Sequence, residues 1–288
     1  MQIYTDSLHK IAYATDASVF REIPYGVAYP ETEDDIRELM QTAREKGVDL
    51  IPRAGGTSLA GQVVGSGIVV DISKHWNRIL EINAEERWAR VQPGVVRDEL
   101  NIALKPYGLF FSPETSTSNR CCIGGMFGNN SCGTHSLVYG STRHHVIACK
   151  GILSDGTLFD TQKLTESGYR VSLPLLDAIL SQLERWSADE KTCSLIEKSF
   201  PDKELQRRSC GYAIDEAIES IEEDKGLALC KLLTGSEGTL AFITEITVSL
   251  DPLPPKHVMV VCGHCDAMEK SFKANLVALK HQIGRAHV

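Results

Sequence analysis

The chain predicts an α+β fold from three features of its sequence. Residues 33–46 place Ile36, Leu39, Met40 and Ala43 at i, i+3, i+4 and i+7, the spacing of one helix face. Short apolar runs at 67–72 and 79–82, and the alternating Trp88, Arg90 and Gln92 within 87–92, have the character of strands. Between 112 and 140 the composition turns to Ser, Thr, Asn, Gly and Cys. A loop of that length inside a compact domain is functional or disordered, and its apolar punctuation favours function.

The first helix has Thr32 as its cap, Glu33, Asp34 and Asp35 at its positive end, and Gly47 as its stop. Residues 48–51 read as a short buried strand, and a glycine-paired loop follows: Pro52, Arg53, Ala54, Gly55, Gly56, Thr57 and Ser58. Glycine adopts backbone angles that Cβ-bearing residues avoid, so such a loop can turn several N–H groups toward one point, a concavity suited to phosphate. No Gly-Lys-Ser/Thr follows, and the spacing misses Gly-x-Gly-x-x-Gly, so it is neither a Walker A loop nor the dinucleotide fingerprint. Alone, the loop reads equally as a turn between two strands.

A second helix is predicted over 96–105, ending at Lys105-Pro106-Tyr107-Gly108, with an extended piece from Phe110 and Phe111. Strands at 146–153 and 157–159 flank a Ser154-Asp155-Gly156 hairpin turn. Residues 174–186 form an amphipathic helix opened by Pro174, and 187–224 read as surface helices and loops. Residues 227–233 and 240–250 form a hairpin-like closing unit across a glycine turn. Asp251-Pro-Leu-Pro-Pro255 marks a domain boundary, followed by a strand at 257–261 and a helix at 267–280.

At 288 residues the chain has room for two domains or one domain with two cores. A net charge of -8 argues against a nucleic-acid partner. Nothing approaches the ~18 uninterrupted apolar residues of a transmembrane segment, and no leader opens the chain, so the cytoplasm is the expected location. The nine scattered cysteines are expected as free thiols, and Cys262-Gly-His-Cys265, a lone pair, is not expected to hold a metal.

Three segments together resemble the FAD-binding domain of the vanillyl-alcohol oxidase/p-cresol methylhydroxylase (PCMH) family. They are Pro52 to Ser58; Pro113-Glu-Thr-Ser-Thr-Ser118 with its continuation to Arg143; and Thr234-Gly-Ser-Glu-Gly-Thr-Leu-Ala-Phe-Ile-Thr-Glu245. The nearest branch is that of the D-lactate, glycolate and D-2-hydroxyglutarate dehydrogenases. The resemblance implies a PCMH-type domain of two α/β subdomains with the flavin between them, followed by the start of a truncated substrate domain. Its bounds would be an extension over 1–20, the FAD-binding domain over 21–255, and the beginning of a substrate domain over 256–282.

Carried over by position, Pro52, Arg53, Ala54, Gly55, Gly56, Thr57 and Ser58 fall on the FAD diphosphate. Ser116, Thr117, Ser118, Cys122, Ile123, Gly124 and Gly125 fall near the isoalloxazine and ribityl chain, with Asn129, Asn130, Ser131, Cys132 and Gly133 as a second contacting run. Glu237, Gly238, Thr239, Leu240, Ala241, Phe242 and Ile243 match the stretch that holds the adenosine half. Relatives often carry Ser or Thr where this chain has Cys122, and an acidic residue at one of the positions His144 and His145. Where some members attach flavin through histidine, this chain has Thr57, so the FAD is expected to be non-covalent, with Cys121 and Cys122 as reserve attachment points. Adjacent His144 and His145 on an extended strand would face opposite ways and could not share a metal, and His135 is expected at the surface rather than at the flavin ring.

The implied reaction is oxidation of a small D-2-hydroxy acid to the 2-oxo acid. The electron acceptor is unknown, and a peripheral place at the inner membrane stays open for the full-length enzyme. The catalytic histidine, any metal ligands and any iron–sulfur cluster would lie downstream, so the chain is expected to bind FAD and lack turnover. The rival readings are an NADPH-dependent flavin reductase of the same fold and a non-catalytic subunit of a multi-subunit oxidase. Ile283-Gly-Arg-Ala-His-Val288 resembles translated sequencing adapter and is taken as a non-native tail.

Overall fold

The structure, a computed structural model, describes residues 1–165, 173–202, 205, 208, 211–257, 259 and 261–281. The segment from Gly26 to Asp71 folds into a small parallel sheet of β1 (Gly26–Ala28), β2 (Leu50–Arg53) and β3 (Ile68–Asp71) in the order β1-β3-β2. The Glu33–Lys46 helix crosses from β1 to β2. Its start is a capping box, in which Thr32 accepts from the Asp35 N–H while the Asp35 carboxylate accepts from Thr32. At its far end Gly47 takes the left-handed conformation.

The strands that follow are β4 (Ile79–Asn83), β5 (Trp88–Val91), β6 (Leu109–Phe110), β7 (Val146–Leu153), β8 (Leu158–Asp160), β9 (Ala241–Ser249) and β10 (Asp251–Pro252). Five of them build an antiparallel sheet in the order β4-β5-β9-β7-β8, while β6 pairs with β10. The large sheet has a hydrophobic core on each face. Ile152 and its register partner Phe242 pack into the core of the parallel sheet, with Ile36, Leu39 and Val70. Leu153, Ile246 and Val248 point the other way, into a core shared with Phe111, Phe127 and the helices Arg97–Leu104, Pro174–Ala188 and Lys225–Leu233. Side chains alternate along β7 between Ile152 and Leu153. On β9 the register shift opposite Lys150 and Gly151 inserts one extra residue, so Ile246 and Val248 face away from Phe242 despite their even spacing. One sheet thereby serves two cores.

Several local expectations are corrected. The stretch 112–140 is not all loop: it contains the helices Ile123–Asn129 and Ser136–Tyr139. Met126 and Phe127 bury against the second core, and that burial outweighs the poor helix propensity of the glycines. Residues 227–233 are helical rather than strand, inside Lys225–Leu233, where the Asp224 carboxylate caps the Leu227 N–H. The region 187–224 is only partly surface, since the Ile214–Ser220 helix buries Asp215, Ala217 and Ile218.

His144 and His145 sit in the helical turn Thr142–His145, not on a strand. There His145 is buried and meets Ser112 and Asp251, tying β6, this turn and β10 together. The Ser112 hydroxyl is itself buried and donates to Asp251, so this triangle is a structural tie and not a nucleophile. The Met268–Lys280 helix forms as expected and leaves Met268, Phe272 and Leu276 exposed. Of the expected strand at 257–261, residues 258 and 260 lie outside the described residues and the other three have no strand pairing. The tail at 283–288 also lies outside them.

Phe111 is fully buried where β6 meets the second core. Phe111→Ala is expected to lower unfolding stability by about 3–5 kcal/mol, measured as a shift of the urea midpoint at unchanged slope.

Candidate functional site

A cleft of about 720 Å³ opens beside the large sheet, where the two cores meet. Its volume falls within the roughly 300–1,000 Å³ of small-molecule and cofactor sites. Three stretches far apart in sequence wall it: 52–58 after β2, 115–132 around the Ile123–Asn129 helix, and 235–243 leading into β9.

Backbone-to-backbone approach brings the first two walls together. A Cβ on Gly55 would stand 2.5 Å from the Arg120 carbonyl oxygen, so no side chain fits there. Gly56 is left-handed (φ +60°) with the Arg53 guanidinium packed against it. Among the described residues, the backbone N–H groups of Gly56, Thr57, Ser58 and Leu59 donate to no protein acceptor. Lining a cleft, they are free to serve an anion.

The third wall is pinned to the end of the Ile123–Asn129 helix. The N–H groups of Gly235 and Glu237 donate to the Phe127 and Gly128 carbonyls at 2.9 and 2.8 Å. Behind them lies Arg143, only 4% exposed, which donates to Thr234 and Gly211 carbonyls. Its own N–H donates to the Asn130 side chain at 2.9 Å, and Asn130 holds the left-handed helix terminus (φ +51°). The Arg143 guanidinium also meets Glu216, which pairs with Arg208 and Lys231. Burial opposes ionisation of Glu216, but Lys231, Arg143 and Arg208 outweigh it and hold its carboxyl below the usual range.

Charge in the cleft is sparse. Arg53 and Arg120 are its cations and Glu237 its carboxylic acid among the described lining residues, and burial pushes Glu237 upward. No histidine lines it among the described residues. Burial drives the Cys122 thiol up to about 12 and raises Cys121 as well, so both stay protonated and weakly nucleophilic at neutral pH.

Most residues expected from the sequence do converge on this cleft: the whole 52–58 run, Ser116, Thr117, Cys122, Gly124, Gly125, Asn129, Asn130, Ser131, Cys132, Glu237, Gly238, Ala241, Phe242 and Ile243. Five stand outside its lining. Ser118 bonds Asp98, Ile123 is buried in the second core, and Gly133 packs against Glu114. Thr239 bonds Tyr212 and the Ser236 carbonyl, and Leu240 packs on the second core. His135 is half exposed and bonds Glu114 instead of lining the cleft. The sequence did not single out Ala17, Gln62 or Arg120. Arg120 lies between two expected segments and was within reach of such reasoning, whereas Ala17 carries no local signal.

Residues 24–162 match the FAD binding domain family. A D-2-hydroxyglutarate dehydrogenase of Haemophilus influenzae is 37% identical over 266 residues, which are 90% of this chain and 25% of that protein. The glycolate oxidase subunit GlcD of Bacillus subtilis is 28% identical over 275 residues, 94% of this chain and 47% of its own length. A solved alkyldihydroxyacetonephosphate synthase shares the fold at a TM-score of 0.58 and 17% identity, over 88% of this chain and 38% of the other. The chain spans about a quarter of the length of the D-2-hydroxyglutarate dehydrogenases it matches. Among the described residues, no helix is long and apolar enough to cross a membrane.

Two outcomes test this geometry. A Cβ on Gly125 meets only Ala54, at 3.7 Å, so Gly125→Ala is expected to leave stability unchanged or raise it by up to about 1 kcal/mol. Gly55→Ala, against a backbone oxygen, is expected to cost about 1–3 kcal/mol; thermal melts of the two variants make the comparison. Because the folded Glu216 value lies below its unfolded one, its stabilising contribution is present above the ordinary glutamate range and is lost as pH falls through the folded value. Urea midpoints across the acid range should fall accordingly, and less steeply in Lys231→Met.

Proposed function

We propose, from the match of residues 24–162 to the FAD binding domain family, that this chain is the flavin-holding part of a dehydrogenase for a small D-2-hydroxy acid. The observation that carries the reading is the convergence of three distant segments on one cleft lined by unbonded backbone N–H groups. The named activities of the relatives, on D-2-hydroxyglutarate and glycolate, supply the substrate class.

The residues fit the cofactor in three ways. The 52–58 loop offers donors without side-chain bulk, as a diphosphate requires. Gly125 leaves space where any side chain would intrude, beside the Cys122 and Asn129–Cys132 positions assigned to the isoalloxazine and ribityl chain. Glu237, Gly238, Ala241, Phe242 and Ile243 form the far wall, assigned to the adenosine half. The chemistry that FAD supplies when bound is acceptance of a hydride equivalent from the carbon bearing the hydroxyl.

What this chain contributes is binding, orientation and exclusion of water. Thr57 offers no imidazole for attachment, and the protonated thiols of Cys121 and Cys122 are poor nucleophiles, so the reading is of a dissociable flavin. A hydroxy-acid dehydrogenase also needs a base to take the hydroxyl proton. The cleft presents no histidine among its described lining residues, and its one carboxylic acid is assigned to the adenosine side.

Purified chain titrated with FAD should quench flavin fluorescence at one equivalent, and acid precipitation should leave all the yellow colour in the supernatant. D-lactate, glycolate and D-2-hydroxyglutarate should fail to bleach the bound flavin. Gly125→Ala should weaken FAD by at least about tenfold, because its methyl stands in the cleft. A coloured pellet would overturn dissociable binding, and absence of quenching would overturn the flavin reading itself.

A further inference from the structure

The segment before residue 24 lies outside the family match, yet it reaches the cleft. Residues 14–22 turn back on themselves through the Thr15–Arg21 bridge and the Glu22 N–H to the Ala14 carbonyl at 3.0 Å. Ala17 lines the cleft, and Phe20 packs over Gly61, three residues beyond the glycine loop, where a Cβ would lie 2.8 Å from the ring.

Behind the loop sits a cation of unusual placement. The Arg53 guanidinium presses against Gly56, with Nη2 2.6 Å from the position a Cβ would take. It donates to the Thr15 carbonyl at 2.8 Å and lies 5.2 Å from the centre of the Tyr13 ring. Tyr13 is fixed in turn by a 2.5 Å hydrogen bond to Asp71, at the end of β3. Among the described residues Arg53 has no carboxylate partner, although the chain carries a net charge of -8. A half-buried arginine held by a carbonyl and a ring keeps its full charge for whatever anion the loop binds.

We propose that Arg53 is the electrostatic positioning residue of the diphosphate loop, and that Tyr13 and Thr15 make the N-terminal segment part of the cofactor site by holding its guanidinium behind Gly56. The proposal rests on the flavin reading and deepens it. The charge acts through the loop, setting its shape and favouring a dianion in front of it, while the backbone N–H groups make the contacts.

The test uses the full 288-residue chain with three probes: FAD, ADP (diphosphate without flavin) and riboflavin (flavin without phosphate). Arg53→Met is expected to weaken FAD and ADP by about tenfold or more, the scale of one charge–charge interaction near a protein surface. Riboflavin should be unaffected. The loss should shrink at high salt, and Arg53→Lys should recover part of it. Tyr13→Ala should weaken FAD and ADP in the same direction, and should add little to Arg53→Met in a double-mutant cycle.

Equal weakening of all three probes, independent of salt, would mean a purely structural role and overturn the proposal. So would additive losses from the two positions, or unchanged ADP binding. If Arg53→Met fails to fold, judged by circular dichroism, the salt dependence of Arg53→Lys and Tyr13→Ala decides the matter. Wild-type chain that binds neither FAD nor ADP overturns the flavin reading first; wild-type that binds both while the variants match it overturns only the present proposal.

Discussion

The cleft depends on one close crossing of main chain: the glycine loop after β2 passes under the carbonyl of Arg120, at a distance that excludes even a methyl group. The two segments belong to different cores. The loop leaves the parallel sheet, whereas Arg120 leads through Cys121 and Cys122 into the helix that buries Met126 and Phe127 in the second core. A side chain at Gly55 would separate the walls and open the groove to water. The approach is tight because glycine permits it, and it is stable because each segment is anchored by its own core.

The second organising element is polar. Buried Arg143 joins Asn130 at the helix end through its backbone N–H, and through its guanidinium the Thr234 carbonyl leading into the third wall and Glu216 in the ion network beyond. Such a group is costly to bury alone and specific once its donors are satisfied. It fixes the third wall relative to the second, while the two hydrogen bonds from Gly235 and Glu237 to the helix end set the spacing. The front of the cleft is thus defined by backbone and its rear by buried ionic and polar contacts. Positive charge stands near the loop, and Glu237, the one carboxylic acid among the described lining residues, is pushed toward neutrality by burial.

Much of this was legible in the sequence where a local rule governs. The Glu33–Lys46 helix has its period, cap and glycine stop in consecutive residues, and forms as they dictate. The strands β3, β4, β5 and β7 lie on the apolar runs that announced them. The three walls could be named because each is a distinctive local pattern, which the resemblance placed together. Where local rules were silent or misleading, burial decided. Gly124, Gly125 and Gly128 argue against a helix, yet Ile123–Asn129 is one because Met126 and Phe127 need a common buried face. The Lys225–Leu233 segment read as strand-like apolar chain, and became a helix because it packs across β7.

The identities and order of the wall segments are properties of the sequence alone, since glycine pairs and polar runs carry their backbone freedom and donors wherever they lie. Their meeting is not. Which face of β7 and β9 serves which core, which carbonyl lies over Gly55, and that Tyr13 and Thr15 reach back to Arg53 follow only from the packed fold. These contacts join residues from 38 to 102 positions apart, and no local propensity encodes them. They are set by the requirement that both cores bury their apolar faces on a single shared sheet.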